Sequence, residues 1–497
     1  MAAPRKLKIL FVTSEVIPFV KTGGLADVSS ALTQKLQELG HHVRILMPKY
    51  GAIDERRFKI HEVVRLKDLS TKVGKNEVIF SIRSSFLVGA KERVQLYLLD
   101  NKHYFGVRRS LYSDPITGKE FPDNDERFIL LAKSVFELIK KLGWIPDIIH
   151  CNDWQGGLIP AYLKTIYKDD PMFQNIKCVF TIHNLSYRGE FPKSSFVKTE
   201  LPVEFNSPKG ILLGNKISFL RSGLTFADAI TTVSETYAKE ISTMKEYGNG
   251  MLDVLKKRKK DLYGIINGID IKLWNPEVDK QIPKKYSVKN ISDKKINKQA
   301  LAEKFGLEYK EDVPVIGMIS RLYDSKGLDL IQKAFKDLMK LDAYFILLGT
   351  GDRKYHKFFE TALMKYPTKF SCYLGFDDGL AHLIEAGSDM LLMPSKFEPC
   401  GLNQMYSLVY GTVPIVRETG GLADTVVKFN EKDGTGNGFS FKKYNEASLI
   451  KEISRAIKVY KNDKKAWLKL MKTGMKSNFN WLSSAKKYIE IYKKIIG

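Results

Sequence analysis

Residues 8–28 read KILFVTSEVIPFVKTGGLADV, and the reading of this stretch decides the fold. The short apolar run Lys8–Thr13 has the character of a strand buried in a parallel sheet. A glycine turn, Lys21-Thr-Gly-Gly24, then opens a predicted helix. The hexapeptide inside it, Thr22-Gly-Gly-Leu-Ala-Asp27, returns as Thr419–Asp424, again after a predicted strand and again opening a predicted helix. Glycines in such a turn let backbone N–H groups approach a ligand, and the helix N-terminus favours an anion. Two such turns, one in each half, imply an α/β protein of two doubly wound, Rossmann-like domains facing a shared cleft.

The rest of the chain carries the same alternation of short apolar runs and helical patterns. Strands are predicted at Val43–Met47, Ile148–Cys151, Val179–Ile182 and Ala229–Val233. After a basic helix the pattern restarts at Val315–Ile319, Tyr344–Leu348, Met390–Met393 and Val413–Val416. The predicted division is residues 1–262, then 263–477, with a helix over 478–497 packing back on the first domain. His41 and His42, between a helix and a strand, read as surface residues.

Composition excludes several classes. At 497 residues, 44% hydrophobic and 11% aromatic, the chain can bury large cores, so disorder is not a serious reading. Four cysteines (Cys151, Cys178, Cys372, Cys400) without CxxC spacing exclude a disulfide framework or a zinc ribbon and fit a reducing, cytoplasmic setting. The basic N-terminus ahead of Ile9–Thr13 invites a leader-peptide reading, but the apolar run is too short and Glu15 follows at once. No stretch approaches bilayer length, so a soluble protein is expected. A formal charge of +24 permits nucleic-acid binding. However, the lysines are spread through amphipathic stretches such as 256–262 and 486–497, as solvated helix faces. Neither nucleic acid nor membrane is an expected partner.

The residues with chemistry in them sit after predicted strands. Lys21 with its glycine turn can cradle a diphosphate or a sugar. Arg321 and Lys326 follow Val315–Ile319, at the carboxyl end of a parallel strand where a ligand is expected, and can neutralise a leaving nucleoside diphosphate. Glu398 lies in Pro394-Ser-Lys-Phe-Glu-Pro-Cys-Gly-Leu402, placed either to bind sugar hydroxyls or to cap a helix. His150-Cys-Asn-Asp-Trp154 and Thr181-Ile-His-Asn184 offer Asp153, His183 and Asn184 for hydrogen bonds to a sugar. Asp123-Asn-Asp125 matches the DxD of metal-dependent sugar transferases, but it stands before a helical run and reads as a helix cap. No GxxxxGK[ST] loop is present and no GxGxxG follows the first strand, so kinase and dehydrogenase readings lose their support.

Taken in order, KTGGLADV (21–28), HCNDW (150–154), TIHNLSYRG (181–189), INGID (266–270), SRLYDSKG (320–327), GTGD (349–352), PSKFEPCGL (394–402) and TGGLADTV (419–426) resemble the bacterial glycogen synthase and plant starch synthase family. The set spans nearly the whole chain. The resemblance implies a GT-B fold and retaining, metal-independent transfer of glucose. The donor would be ADP-glucose, the acceptor the 4-hydroxyl at the non-reducing end of an α-1,4-glucan, and no cofactor is expected. By position it gives Lys21, Gly23 and Gly24 to the donor's diphosphate and glucose, with Asp27 beside them. Arg321 and Lys326 match the phosphate-binding pair, and Glu398 the essential acid. Asp153, His183, Asn184 and Asn267 match cleft residues, Cys400, Gly401 and Leu402 line the substrate, and Phe376 stacks on the base. Three positions depart from the pattern: Asn403 stands for threonine, Lys396 for arginine and Phe376 for tyrosine. None removes a charge that the chemistry requires. The rival readings are a GT-B transferase with another donor, such as UDP-glucose, or another acceptor, and a non-catalytic glucan-binding protein.

Overall fold

The computed structural model describes residues 5–87 and 92–497; the first four residues of the stretch weighed as a leader lie outside it. The chain forms two compact units. The first comprises Met1–Val233, Ala238–Ile265 and Trp481–Gly497, and the second Ser234–Tyr237 and Ile266–Asn480. The change of unit falls at Ile265–Ile266, later than the expected 262, because a last short strand of the first sheet occupies Leu262–Gly264.

The first unit is built on β1 (Lys8–Val12), β2 (His42–Pro48), β3 (Leu69–Val73), β4 (Asn76–Phe86), β5 (Gln95–Asp100), β6 (Ile148–Asn152) and β7 (Lys177–Ile182). A small separate sheet holds β8 (Glu190–Pro192), β9 (Leu212–Leu213) and β10 (Lys216–Ser218). With β11 (Ala229–Thr232) and β12 (Leu262–Gly264) the main sheet runs β12-β11-β7-β6-β1-β2-β5-β4-β3. Everything from β12 to β5 is parallel, and β4 and β3 add an antiparallel edge. The apolar-run criterion passes over that edge because β4 alternates buried positions with exposed or half-exposed ones, which suits an edge strand. β1 lies between β2 and β6, so strand order reverses there, and the crevice at the carboxyl ends of β1 and β6 is the expected ligand position.

The C-terminal helix Trp481–Ile496 is part of this unit and packs on the helix Gly24–Glu38. It buries Trp481, Tyr488 and Tyr492 and leaves Lys486, Lys487, Lys493 and Lys494 in water. Each large ring taken out of water contributes roughly 2 kcal/mol. The Tyr492 hydroxyl meets His150 Nδ1 at 2.6 Å, and His150 Nε2 meets Thr181 Oγ1 at 2.6 Å. His41 is buried rather than on the surface, because its Nδ1 accepts the Leu7 N–H at 3.1 Å and so ties β2 to the chain entering β1.

The second unit has β13 (Val315–Ile319), β14 (Tyr344–Leu348), β15 (Phe370–Tyr373), β16 (Met390–Met393), β17 (Val413–Arg417) and β18 (Phe439–Phe441). They run β15-β14-β13-β16-β17-β18, all parallel. The order reverses between β13 and β16. Helices cover both faces of the sheet: Leu328–Leu338 and Glu446–Asn462 pack on the large cluster around Phe345, Phe370 and Phe439, while Leu301 and Ile384 belong to the opposite cluster.

Candidate active site

In the first unit the site residues gather at the reversal point. Asp153, directly after β6, has φ +49°, an uncommon conformation for a residue with a side chain. Its carboxylate accepts the His183 N–H at 2.7 Å and the Asn184 N–H, so it ties the end of β6 to the end of β7. Burial nonetheless pushes its pKa up to about 7. His183 Nε2 faces Asn152 Oδ1 at 2.9 Å, and Asn152 turns its Nδ2 to the Val12 carbonyl. Burial holds His183 down at about 3. The ring is therefore neutral at pH 7, with its proton on Nε2 and Nδ1 left as an acceptor. Asn184 Oδ1 accepts the Ser186 N–H at 3.0 Å, which shapes the loop after β7.

Ionising Asp153 is harder in the folded chain than in the unfolded one, where a carboxyl titrates near about 4. Its contribution to stability is complete below that value and is lost as pH rises towards about 7. Asp153→Asn removes the titration while keeping an oxygen for the two amides. The variant's melting temperature should exceed that of the parent by more at pH 8 than at pH 5. A difference independent of pH would contradict this account.

The Lys21 turn follows β1 after a loop. Lys21 Nζ pairs with Asp27 Oδ1 at 2.9 Å, in an exposed contact that holds the lysine over the start of the helix Gly24–Glu38. Gly23 is extended (φ −156°). The Gly23 N–H donates to Glu15 Oε2 at 3.2 Å, so this amide faces a protein carboxylate and not a donor diphosphate.

The second unit brings Arg321, Lys326 and Glu398 together in one cavity of about 160 Å³ at the ends of β13 and β16. Gly401, Leu402 and Asn403 complete its wall. Lys326 Nζ meets Glu398 Oε1 at 2.8 Å and Oε2 at 2.6 Å, and the Ser395 hydroxyl donates to Oε2 at 3.0 Å. Glu398 is 6% exposed. It binds a cation and does not cap the helix, which begins only at Asn403. Arg321 is exposed and lies over the Tyr323 ring, and among the described residues it has no carboxylate partner. The pair Lys326–Glu398 cancels in charge, leaving Arg321 as the uncompensated cation of the cavity.

Close backbone approach builds this arrangement. Gly327, at φ +81°, stands where a Cβ would lie 2.3 Å from the Pro394 carbonyl oxygen, and the Lys396 N–H bonds the Ser325 carbonyl at 2.9 Å. Any side chain at Gly327 would push the Lys326 loop off the Glu398 loop. The second TGGLAD copy serves the same packing. A Cβ on Gly420 (φ +45°) would lie 2.0 Å from the Glu398 carbonyl oxygen, and one on Gly421 2.0 Å from that of Cys400. The two copies share letters but not geometry, since Gly23 is extended and has open space around it. Asn403, one of the departures, donates to the Ile319 carbonyl at 2.9 Å and fastens the helix Asn403–Val409 to β13.

Asn267 lies beside Cys400, its backbone N–H reaching the thiol, and its Oδ1 is a buried acceptor with no partner among the described residues. Cys400 is 7% exposed, and burial pushes its thiol up to about 12, so it stays protonated at neutral pH. Phe376 projects from the loop between β15 and the helix Asp378–Gly387 and is 86% exposed.

The DxD-like triplet is structural, though not by capping. Asp123 precedes the helix Asn124–Leu142, but its side chain forms no cap bond and takes both guanidinium nitrogens of Arg108 instead. Asp125 pairs with Lys198 at 2.8 Å. Among the described residues no group of three or more His, Cys, Asp or Glu side chains is placed to hold a metal ion. No described helix is long and apolar enough to cross a membrane.

Sequence reasoning missed Glu15. It sits in a loop, where an acidic residue raises no flag, yet it is 3% exposed and surrounded by donors.

Comparison with known proteins bears on these features together. A family model for the starch synthase catalytic domain matches residues 8–257, and one for group 1 glycosyl transferases matches residues 300–467. A glycogen synthase from Desulforudis audaxviator is 45% identical over 98% of this chain and 96% of its own. One from Thermosipho africanus is 44% identical over 99% of both. Among solved structures, the catalytic domain of starch synthase IV from Arabidopsis thaliana, bound to ADP and acarbose, superposes with a TM-score of 0.88 at 30% identity, covering 99% of this chain and 100% of that one.

Proposed function

This chain belongs to the glycogen synthase and starch synthase family, GT-B glycosyltransferases that build glucans, and from that membership we propose that its donor is ADP-glucose and its acceptor the non-reducing end of an α-1,4-glucan. The observation that carries the site assignment is the cavity at the β13/β16 reversal, where the unpaired Arg321 stands beside the Lys326–Glu398 pair. A diphosphate set there gains one full positive charge from Arg321 and a share of Lys326. These cations fill the part a metal plays in other transferases, so transfer should proceed in EDTA. The ADP and acarbose held by the plant relative support both ligand classes.

In this reading Phe376 stacks on the base, Glu398 and the buried Asn267 oxygen bind hydroxyls of the donor, and Lys21 adds its charge to the diphosphate. His183 Nδ1 accepts from a glucose hydroxyl. Retention follows front-face attack: the acceptor hydroxyl approaches on the side from which the diphosphate leaves, a phosphate oxygen takes its proton, and the C1–O bond to phosphate breaks as the new glycosidic bond forms. The protein contributes orientation and charge stabilisation. Calorimetric titration with ADP and with UDP, both in EDTA, tests the ligand assignment. Tighter binding of ADP is expected; no binding of ADP, or a preference for UDP, would contradict it.

A further inference from the structure

Glu15 has no part in the chemistry just described, yet four hydrogen-bond donors surround its buried carboxylate. Its Oε2 accepts the Thr22 N–H at 2.5 Å and the Gly23 N–H at 3.2 Å. Its Oε1 accepts the Thr22 hydroxyl at 2.5 Å and the Tyr112 hydroxyl at 2.7 Å. A carboxylate this far from water survives only when donors surround it, and three of its four come from the turn that carries Lys21. The fourth is braced independently. The Tyr112 carbonyl accepts from Asn124 Nδ2 at 2.9 Å, and the fully buried Arg127 holds the carbonyls of Tyr104 and of the preceding residue, Leu111, at 2.7 and 2.8 Å. Burial and the Glu15 charge raise the Tyr112 phenol well above its ordinary value, so it stays a donor.

We propose that Glu15 is a positioning residue: braced by Tyr112, its carboxylate locks the Lys21–Gly24 turn in the form that presents Lys21 to the donor diphosphate. Asn124 and Arg127 act behind it as the frame that holds Tyr112. The inference rests on the assignment of Lys21 to the donor. It also revises that assignment: the Thr22 and Gly23 amides serve Glu15, whereas among the described residues no side chain claims the Gly24 amide, which stands at the start of a 15-residue helix.

A double-mutant cycle between Glu15 and Lys21 tests this. Glu15→Ala is expected to lower kcat for glucose transfer about 100-fold, as sub-ångström misplacement of a reacting partner does. The KM for glycogen should change little, while the affinity for ADP should weaken with the loss of the Lys21 contact to the diphosphate. In a Lys21→Ala background the same substitution should cost less than about threefold, because the group it positions is gone. Glu15→Gln is expected to keep the fold, with its Oε1 accepting from the two backbone amides and its Nε2 donating to the two hydroxyl oxygens. It should lose about tenfold, since charge-assisted bonds are roughly twice as strong as neutral ones. Tyr112→Phe should lose severalfold by the same route. Additive losses in the cycle, or near-normal kcat in both Glu15 variants, would overturn the positioning role while leaving Lys21 in place. Near-normal kcat in Lys21→Ala alone would instead overturn the donor assignment on which the inference stands.

Discussion

Arg321→Ala lowers glucose transfer by roughly 10²–10³-fold in kcat, the loss typical of one preorganised charge aimed at a developing anion. The reason is electrostatic and local. Within the β13/β16 cavity Lys326 is already engaged by Glu398 through both carboxylate oxygens. Among the described residues, removing Arg321 leaves the leaving diphosphate with no uncompensated cation in that cavity. Arg321 is exposed and makes no carboxylate contact among the described residues, so the fold loses little, within about 0.5 kcal/mol. Steady-state rates measured with thermal melting separate the two effects. A variant with normal melting and near-normal kcat would remove Arg321 from the mechanism.

The second large effect concerns Lys326 and Glu398. Glu398 is buried to 6% exposure, and Lys326 is its cation. Lys326→Ala strands that carboxylate. The cost is about 2 kcal/mol, below the usual range for a buried pair because the lysine is 23% exposed and water reaches it. Glu398→Gln leaves the lysine's charge uncompensated while keeping a hydrogen-bond acceptor. Either change is expected to reduce kcat at least about 10³-fold, since each removes a group that touches the donor and misplaces its partner. Combining Lys326→Met with Glu398→Gln should restore the melting temperature towards that of the parent without restoring transfer. A double variant regaining activity along with stability would mean that the pair is scaffolding alone.

The fold was legible because a parallel sheet buried on both faces writes itself as short apolar runs. Val315–Ile319, Tyr344–Leu348 and Met390–Met393 are found as read. Among the strands passed over, β4 and β15 lie at or near sheet edges, where exposed positions interrupt the apolar run, whereas β5 is a buried apolar run that the reading left out. In the candidate site, lysine, arginine and glutamate after predicted strands could be picked out by residue type. Their pairing could not: nothing in the letters says that Lys326 faces Glu398, because that contact depends on Gly327 passing under the Pro394 carbonyl. The TGGLAD repeat invited one geometry for both copies. Gly420 and Gly421 pack against the Glu398–Cys400 backbone, however, whereas Gly23 is turned inward by Glu15. Glu15 and Tyr112, distant in sequence, meet only through the folded loop, and no motif joins them.

The most direct measurement is incorporation of radiolabelled glucose into glycogen, with ADP-glucose and UDP-glucose compared side by side in EDTA. The account predicts incorporation from ADP-glucose, sustained without metal, and label that exo-digestion of the product's non-reducing ends releases. Failure of a demonstrably folded protein with both donors, or incorporation from UDP-glucose alone, would contradict it.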